Sequence, residues 1–175
     1  MVGYQVGERY FSLGRSLADA QRYALAGPPG DDITAADSFA RSVRAHMVAD
    51  IEIGVFLSAG IGSTSILGLA SSGGRRLHAV TVGFDEFAGS ADDEVPLTEL
   101  VARRYSARHQ VVRATRAQFA SWLPQMLLDM DQPTIDGLNT WMVARATAAS
   151  GLKVALSGMG GDEFLGGYPS FQAYL

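Results

Sequence analysis

Cysteine is absent from all 175 residues. That absence removes disulfide staples, thiolate metal sites and cysteine nucleophiles together. No apolar stretch approaches the ~20 residues of a membrane span. The opening MVGYQVGERYFSLGRS lacks the apolar core that follows a charged tip in a signal peptide. Basic runs are missing too. Fourteen Lys and Arg against eighteen Asp and Glu leave a net charge of −4, a mild value that argues against a nucleic-acid grip driven by phosphate charge. Of the three histidines, no two stand at metal-ligand spacing, which argues against zinc. His78 and His109 read as structural residues of strands, and His46 as a solvated one. What remains is 47% hydrophobic and 18% charged: globular material for one or at most two domains, with a cytoplasmic setting as the default.

Along the chain, strands alternate with helices. Residues 1–33 read as an irregular connecting segment, with a strand-like piece from Tyr4 to Phe11 and the turn-rich AGPPGDD at 26–32. A helix is expected from Thr34, with Phe39, Val43 and Met47 at steps of four. The apolar run 52–57 has strand length and leads through a loop to a helix near 63–72. A second strand spans 76–84. The acidic loop 85–94 follows, with Asp92, Asp93 and Glu94 read as the charged first turn of a helix carrying Leu97, Leu100 and Val101. Residues 109–114 make a third strand. Thr115 and Gln118 form a capping-box pattern for a helix with Phe119, Trp122, Leu123, Met126 and Leu127 on its apolar side. After DQPTIDGLN, a helix over about 140–150 ends at Gly151, and a fourth strand, 153–157, runs into GMGGDEFLGGY. The alternation predicts a doubly wound parallel sheet with helices on both faces.

In such a sheet, ligands bind beyond the carboxyl ends of the strands, where strand order reverses. A fourth strand returning beside the first would bring loops 58–63 and 157–163 together, with Asp162 at their meeting point. The first loop suits an oxyanion. Ser58 and Ser63 offer hydroxyls, Ala59 and Gly60 let the main chain approach closely, and a helix N-terminus aims its free N–H groups there. No lysine follows, so it is not a G-x-x-x-x-G-K-[ST] loop. GIGSTS also has part of the dinucleotide fingerprint G-x-G-x-x-G, with Asp85 after the second strand, but Ser65 occupies the third glycine position. A dinucleotide-binding oxidoreductase is therefore a third reading.

The segment SVRAHMVADIEIGVFLSAGIGSTSI, together with TVGFDEF, DQPTIDGLNTW and KVALSGMGGDEFLGGYPSF, resembles the synthetase domain of the asparagine synthetase family. Its pyrophosphate-loop pattern is S-G-G-x-D-S, and its later motif is S-G-x-G-[GS]-D-E-x-x-G-G-Y. The resemblance covers roughly residues 34–175. It implies an adenine-nucleotide alpha-hydrolase-like, Rossmann-like three-layer fold and an ATP pyrophosphatase. In that chemistry a carboxylate, aspartate by default, attacks the α-phosphorus of ATP, and ammonia then displaces AMP to form the amide. By position, Ser58, Ala59, Gly60 and Ser63 would contact the pyrophosphate. Leu57 and Val82 would flank the adenine largely through backbone groups. Ser157 and Gly158 would close over the nucleotide, and Asp162 would hold Mg²⁺. Asp131 and Asp136 fall in a segment the family uses near its acceptor substrate, whereas Asp85 and Glu86 read as exposed loop.

Three departures bear on activity. Gly62 replaces the loop aspartate and Ala59 the preceding glycine. Met159 stands where some members place an acidic or tyrosine side chain. The ends of the family's protein are missing: Met1-Val2 with no cysteine provides no glutaminase nucleophile, so nitrogen would come as ammonia or from a partner amidotransferase. The chain would be the N-terminal part of a synthetase domain lacking its C-terminal helices. An amide-forming enzyme and a non-catalytic ATP-binding module of the same family are both open at this point.

Overall fold

The structure is a computed structural model that describes residues 12–26, 34–132, 134–165 and 167–168. The strand expected from Tyr4 to Phe11 and nearly all of the 26–32 turn lie outside the described residues. The chain separates into two compact units, Met1–Ser38 and Phe39–Leu175.

In the first unit, α1 runs over Leu13–Ala26, which corrects the expectation that residues 1–33 are irregular. The sequence LGRSLADAQRYALA is rich in Ala, Leu, Arg and Gln, the strongest helix formers, and Asp19 pairs with Arg22 one turn on. α2 (Ala35–His46) begins where expected. Thr34 Oγ1 accepts the Asp37 N–H at 3.1 Å, and the Asp37 carboxylate accepts from the Thr34 N–H in return, so two otherwise unpaired donors are satisfied.

The second unit is built on a four-stranded all-parallel sheet of order β3-β2-β1-β4, from β1 (Ile53–Phe56), β2 (His78–Phe84), β3 (Arg108–Ala114) and β4 (Val154–Leu156). The order reverses between β1 and β4, as the sequence implied. Period-2 alternation sorts each strand's side chains. Ile53, Val55 and Leu57 pack with Ala79 against Ile66, Leu67 and Ala70 of α3 (Ile61–Ser71), Ala102 of α4 (Val95–Arg104), and Val43 and Met47. On the opposite face, Val80, Val82 and Val112 meet Ala146 of α6 (Ile135–Ala149) and Leu152, which follows that helix. The fold is α/β and three-layered, Rossmann-like. α5 (Arg116–Asp129) carries the predicted capping box in full: Thr115 Oγ1 accepts the Gln118 N–H at 3.1 Å, and Gln118 Oε1 accepts the Thr115 N–H at 3.0 Å. No helix among the described residues is long and apolar enough to cross a membrane.

Three local expectations are corrected. α6 starts at Ile135 rather than near 140, because Thr134 Oγ1 accepts the Gly137 N–H at 2.9 Å and caps it. Asp92, Asp93 and Glu94 precede α4 instead of forming its first turn. The second glycine loop contains a short helix, α7 (Gly161–Leu165). At the other end of α6, Gly151 adopts φ +79, the left-handed stop expected of it.

Candidate functional site

β1 ends at Phe56, and after Leu57 the chain must turn sharply to begin α3. Ala59 takes φ +59 to make the turn, a left-handed conformation that costs an L-residue about 1–2 kcal/mol. Gly60 is the N-cap, and the first intrahelical bond runs from the Thr64 N–H to its carbonyl at 3.0 Å. The N–H groups of Ile61, Gly62 and Ser63 therefore have no acceptor within the helix and carry its positive end. Ser63 Oγ braces the loop: it accepts the Ser58 N–H at 3.3 Å, lies 3.2 Å from Ser58 Oγ and donates to the Gly60 carbonyl at 3.3 Å.

The second turn leaves β4 in the same place. Ser157 Oγ accepts the Met159 N–H at 3.2 Å, Gly160 adopts φ +86, and the Gly161 N–H closes onto the Gly158 carbonyl at 3.0 Å. The two turns touch. A Cβ at Gly158 would lie 2.9 Å from the Ser63 backbone nitrogen, and one at Gly62 would lie 3.2 Å from the Gly158 carbonyl oxygen. Main chain meets main chain here because neither position carries a side chain.

Around this junction lies an open cleft of about 700 Å³. Of the residues singled out in the sequence, it brings together Leu57, Ser58, Gly60, Ser63, Val82, Ser157, Gly158 and Asp162. Ala59 shapes the turn without lining the cleft. Asp136 lines it and Asp131 does not; Asp92, Asp93 and Glu94 line it, whereas Asp85 and Glu86 lie outside. Met159 stands at the mouth, 73% exposed. Sequence reading missed the aromatic wall of Phe84 and Phe87, which meet edge to face with centroids 6.1 Å apart. Its signal was two phenylalanines at the carboxyl end of a strand in GFDEF.

The electrostatics are one-sided. Among the described residues, the lining holds six carboxylates, Asp92, Asp93, Glu94, Asp136, Asp162 and Glu163, and neither lysine nor arginine. Asp93 is fixed from outside by Arg113 at 2.9 Å, which holds its carboxyl below the usual range, helped by the Gly89 and Val95 N–H groups. Burial pushes Glu94 up. The Glu163 carboxylate accepts the Tyr168 hydroxyl at 2.9 Å and raises the phenol's pKa.

The donor set suits a magnesium ion carried in by phosphates. No group of three or more Asp, Glu or His side chains converges as a cage among the described residues. Mg²⁺ is commonly held through one or two carboxylates, with substrate phosphates and water completing the octahedron. Asp162 lines the cleft beside the glycine junction.

Two glycine turns meeting over the carboxyl edge of a parallel sheet, where strand order reverses, define a Rossmann-like domain with a cleft at its switch point. The sequence model of the family described as Asparagine synthase matches residues 34–175. A Mycobacterium tuberculosis protein assigned as a glutamine-hydrolyzing asparagine synthetase is 37% identical over 147 residues, covering 83% of this chain and 22% of that protein. The Bacillus subtilis glutamine-hydrolyzing asparagine synthetase 1 is 31% identical over 141 residues, 79% of this chain and 22% of its own length. Amidase chry2 of Gibberella zeae is 30% identical over 152 residues, 75% of this chain and 22% of its own length. The chain belongs to the asparagine synthase family, and it spans 22% of the length of each of these relatives. Membership sets aside the dinucleotide reading of GIGSTS.

Proposed function

We propose that the cleft binds ATP with Mg²⁺ and supports amide formation of the asparagine-synthetase type, with residues 34–175 as the N-terminal part of the synthetase domain and 1–33 as a connecting segment. The carrying observation is the junction of the two glycine turns, where bare backbone N–H groups of the α3 N-terminus stand beside Gly158 with no side chain between them. A pyrophosphate on that N-terminus has its charge met by oriented N–H dipoles. Ser58 and Ser63 brace the turn that presents those N–H groups, and Leu57, Val82 and the Phe84–Phe87 wall offer an apolar side to the base. Asp162 would hold the ion, whose contribution when bound is to neutralise charge on the phosphate oxygens.

The substrate carboxylate, aspartate by default, attacks the α-phosphorus. The bond to the bridging oxygen breaks, and pyrophosphate leaves with that electron pair. Ammonia, free or delivered by a partner amidotransferase, then attacks the acyl carbon, and AMP departs. The test is to incubate the protein with ATP, Mg²⁺, aspartate and ammonia and to follow pyrophosphate. Release that depends on aspartate supports the reading, and ATP binding with no release rules out the catalytic part of it.

A second reading, a nucleotide-binding module without catalysis, is favoured by one observation. Gly62 removes a carboxylate from the loop, and the Gly158 carbonyl has closed to within 3.2 Å of where its Cβ would stand. Loss of a group aimed at the transition state costs on the order of 10²–10³ in rate.

A further inference from the structure

The β1–β2 ladder stops early on the cleft side. Register pairing ends at Phe56↔Val80, followed by one bond from the Leu57 N–H to the Val80 carbonyl at 2.9 Å. The ladder's next bond, from the Val82 N–H to the Leu57 carbonyl, is not made. A side chain has taken its place: Thr81 Oγ1 donates to the Leu57 carbonyl at 2.7 Å. Thr81 is 2% exposed, and Leu57 is buried beside it.

Thr81 has one hydroxyl proton, and the Leu57 carbonyl can only accept, so that proton is committed. His109 Nε2 lies 2.8 Å from the same hydroxyl and must therefore be the donor in that contact. The ring is held with its proton on Nε2. The chain of bonds runs from His109 on the edge strand through Thr81 on β2 to Leu57, the last residue before the glycine turn. Ser58 and Ser63 close the far side of that turn.

We infer that Thr81 and His109 are positioning residues for the ligand cleft. They hold the Leu57 carbonyl away from the ladder, keep the Val82 N–H free as a donor at the cleft wall, and fix the point from which the phosphate-facing turn departs. The inference rests on the nucleotide reading only for the identity of the ligand. A hydroxyl in a strand end next to a ligand wall differs from an ordinary buried threonine in one respect: its removal offers the backbone a better-paired alternative, the zipped ladder.

The test compares Thr81→Val, which keeps the shape and loses the hydroxyl, with Thr81→Ser, which keeps the hydroxyl. Amide hydrogen exchange of the unliganded protein is read first. In Thr81→Val the Val82 amide exchanges more slowly, because it closes onto the Leu57 carbonyl, and the amides of 58–63 exchange faster; Thr81→Ser matches the parent. MgATP binding then weakens about five- to tenfold in Thr81→Val, the scale of one neutral hydrogen bond, and is unchanged in Thr81→Ser. His109→Gln, whose amide can still donate, keeps the parent pattern, and His109→Leu does not. This second pair carries the test should Thr81→Val fail to fold. Unchanged Val82 exchange in Thr81→Val, or in His109→Leu where that pair stands in, overturns the inference. If the exchange pattern appears but the parent protein binds no ATP, the relay stands and the nucleotide reading falls.

Discussion

At the scale of single residues, the site is decided by which positions lack a side chain. Gly158 is the least replaceable, since its Cβ would meet backbone at 2.9 Å, and backbone cannot swing away as a flexible side chain can. Gly158→Ala should cost about 1–3 kcal/mol through overpacking and abolish MgATP binding, read by urea denaturation and calorimetry; unchanged binding would contradict the meeting of the turns. Gly62 is looser at 3.2 Å. Gly62→Asp should therefore fold with a loss of roughly 1 kcal/mol and gain about tenfold in Mg²⁺-dependent ATP affinity, the worth of one charge-assisted contact. No gain would remove magnesium from the account of this loop. Ala59 works in the opposite sense. Its φ of +59 suits glycine, so Ala59→Gly should raise stability by about 0.5–1 kcal/mol, the left-handed strain less the extra freedom of unfolded glycine. A lowered denaturation midpoint would show that the turn is not strained. The motif itself was legible in the sequence. The strain was not, because nothing in an alanine announces its backbone angle.

At the scale of elements, legibility followed the local signal. The α5 capping box was read in full from Thr115 and Gln118 because both halves of it lie within four residues. The α6 start was misread because Pro133 and Gly137 are breakers by type. In the structure Gly137 is helical at a site where a Cβ would stand 2.9 Å from Met130 Sδ, so its reason is a tertiary approach that no local pattern records. The acidic loop before α4 shows the same limit. By sequence Asp93 belongs to the charged first turn of a helix, yet it precedes α4, its side chain is 4% exposed, and it ties Gly89, Val95 and Arg113 together. Those bonds favour the ionised form and lower its pKa in the folded state. The unfolded chain then binds the proton more readily, so the contribution to stability is present above the ordinary carboxylate pKa and is lost as pH falls through the lowered folded value. Urea midpoints measured from neutral pH downward should show that acid limb in the parent protein. Asp93→Asn should start lower and lose this limb, and parallel curves for the two would show that Asp93 is not the fastener.

At the scale of the whole molecule, a net charge of −4 conceals a separation within the second unit. Among the described residues, six carboxylates face the cleft at the carboxyl ends of the strands. Arg75, Arg76, Arg103 and Arg104 surround a groove beside the turns that enter β2 and β3, at the opposite end of the sheet. Composition gave the sum and could not give this arrangement, which depends on parallel strands sending every β–α loop to one edge and every α–β loop to the other. The consequence for a triphosphate is direct. Alone, it approaches a cleft of its own sign, where among the described residues the α3 N-terminus and backbone dipoles would receive it; with Mg²⁺ much of that repulsion would be cancelled before contact. Affinity for ATP should therefore be low in chelator and rise by at least tenfold when Mg²⁺ is restored. Salt separates this from a simple metal requirement. Screening over about 8 Å at 0.15 M weakens attraction and relieves repulsion, so chelated ATP should bind more tightly as ionic strength increases. Binding of metal-free ATP that weakened with salt would show that the cleft attracts the phosphates through cations other than those of the described residues.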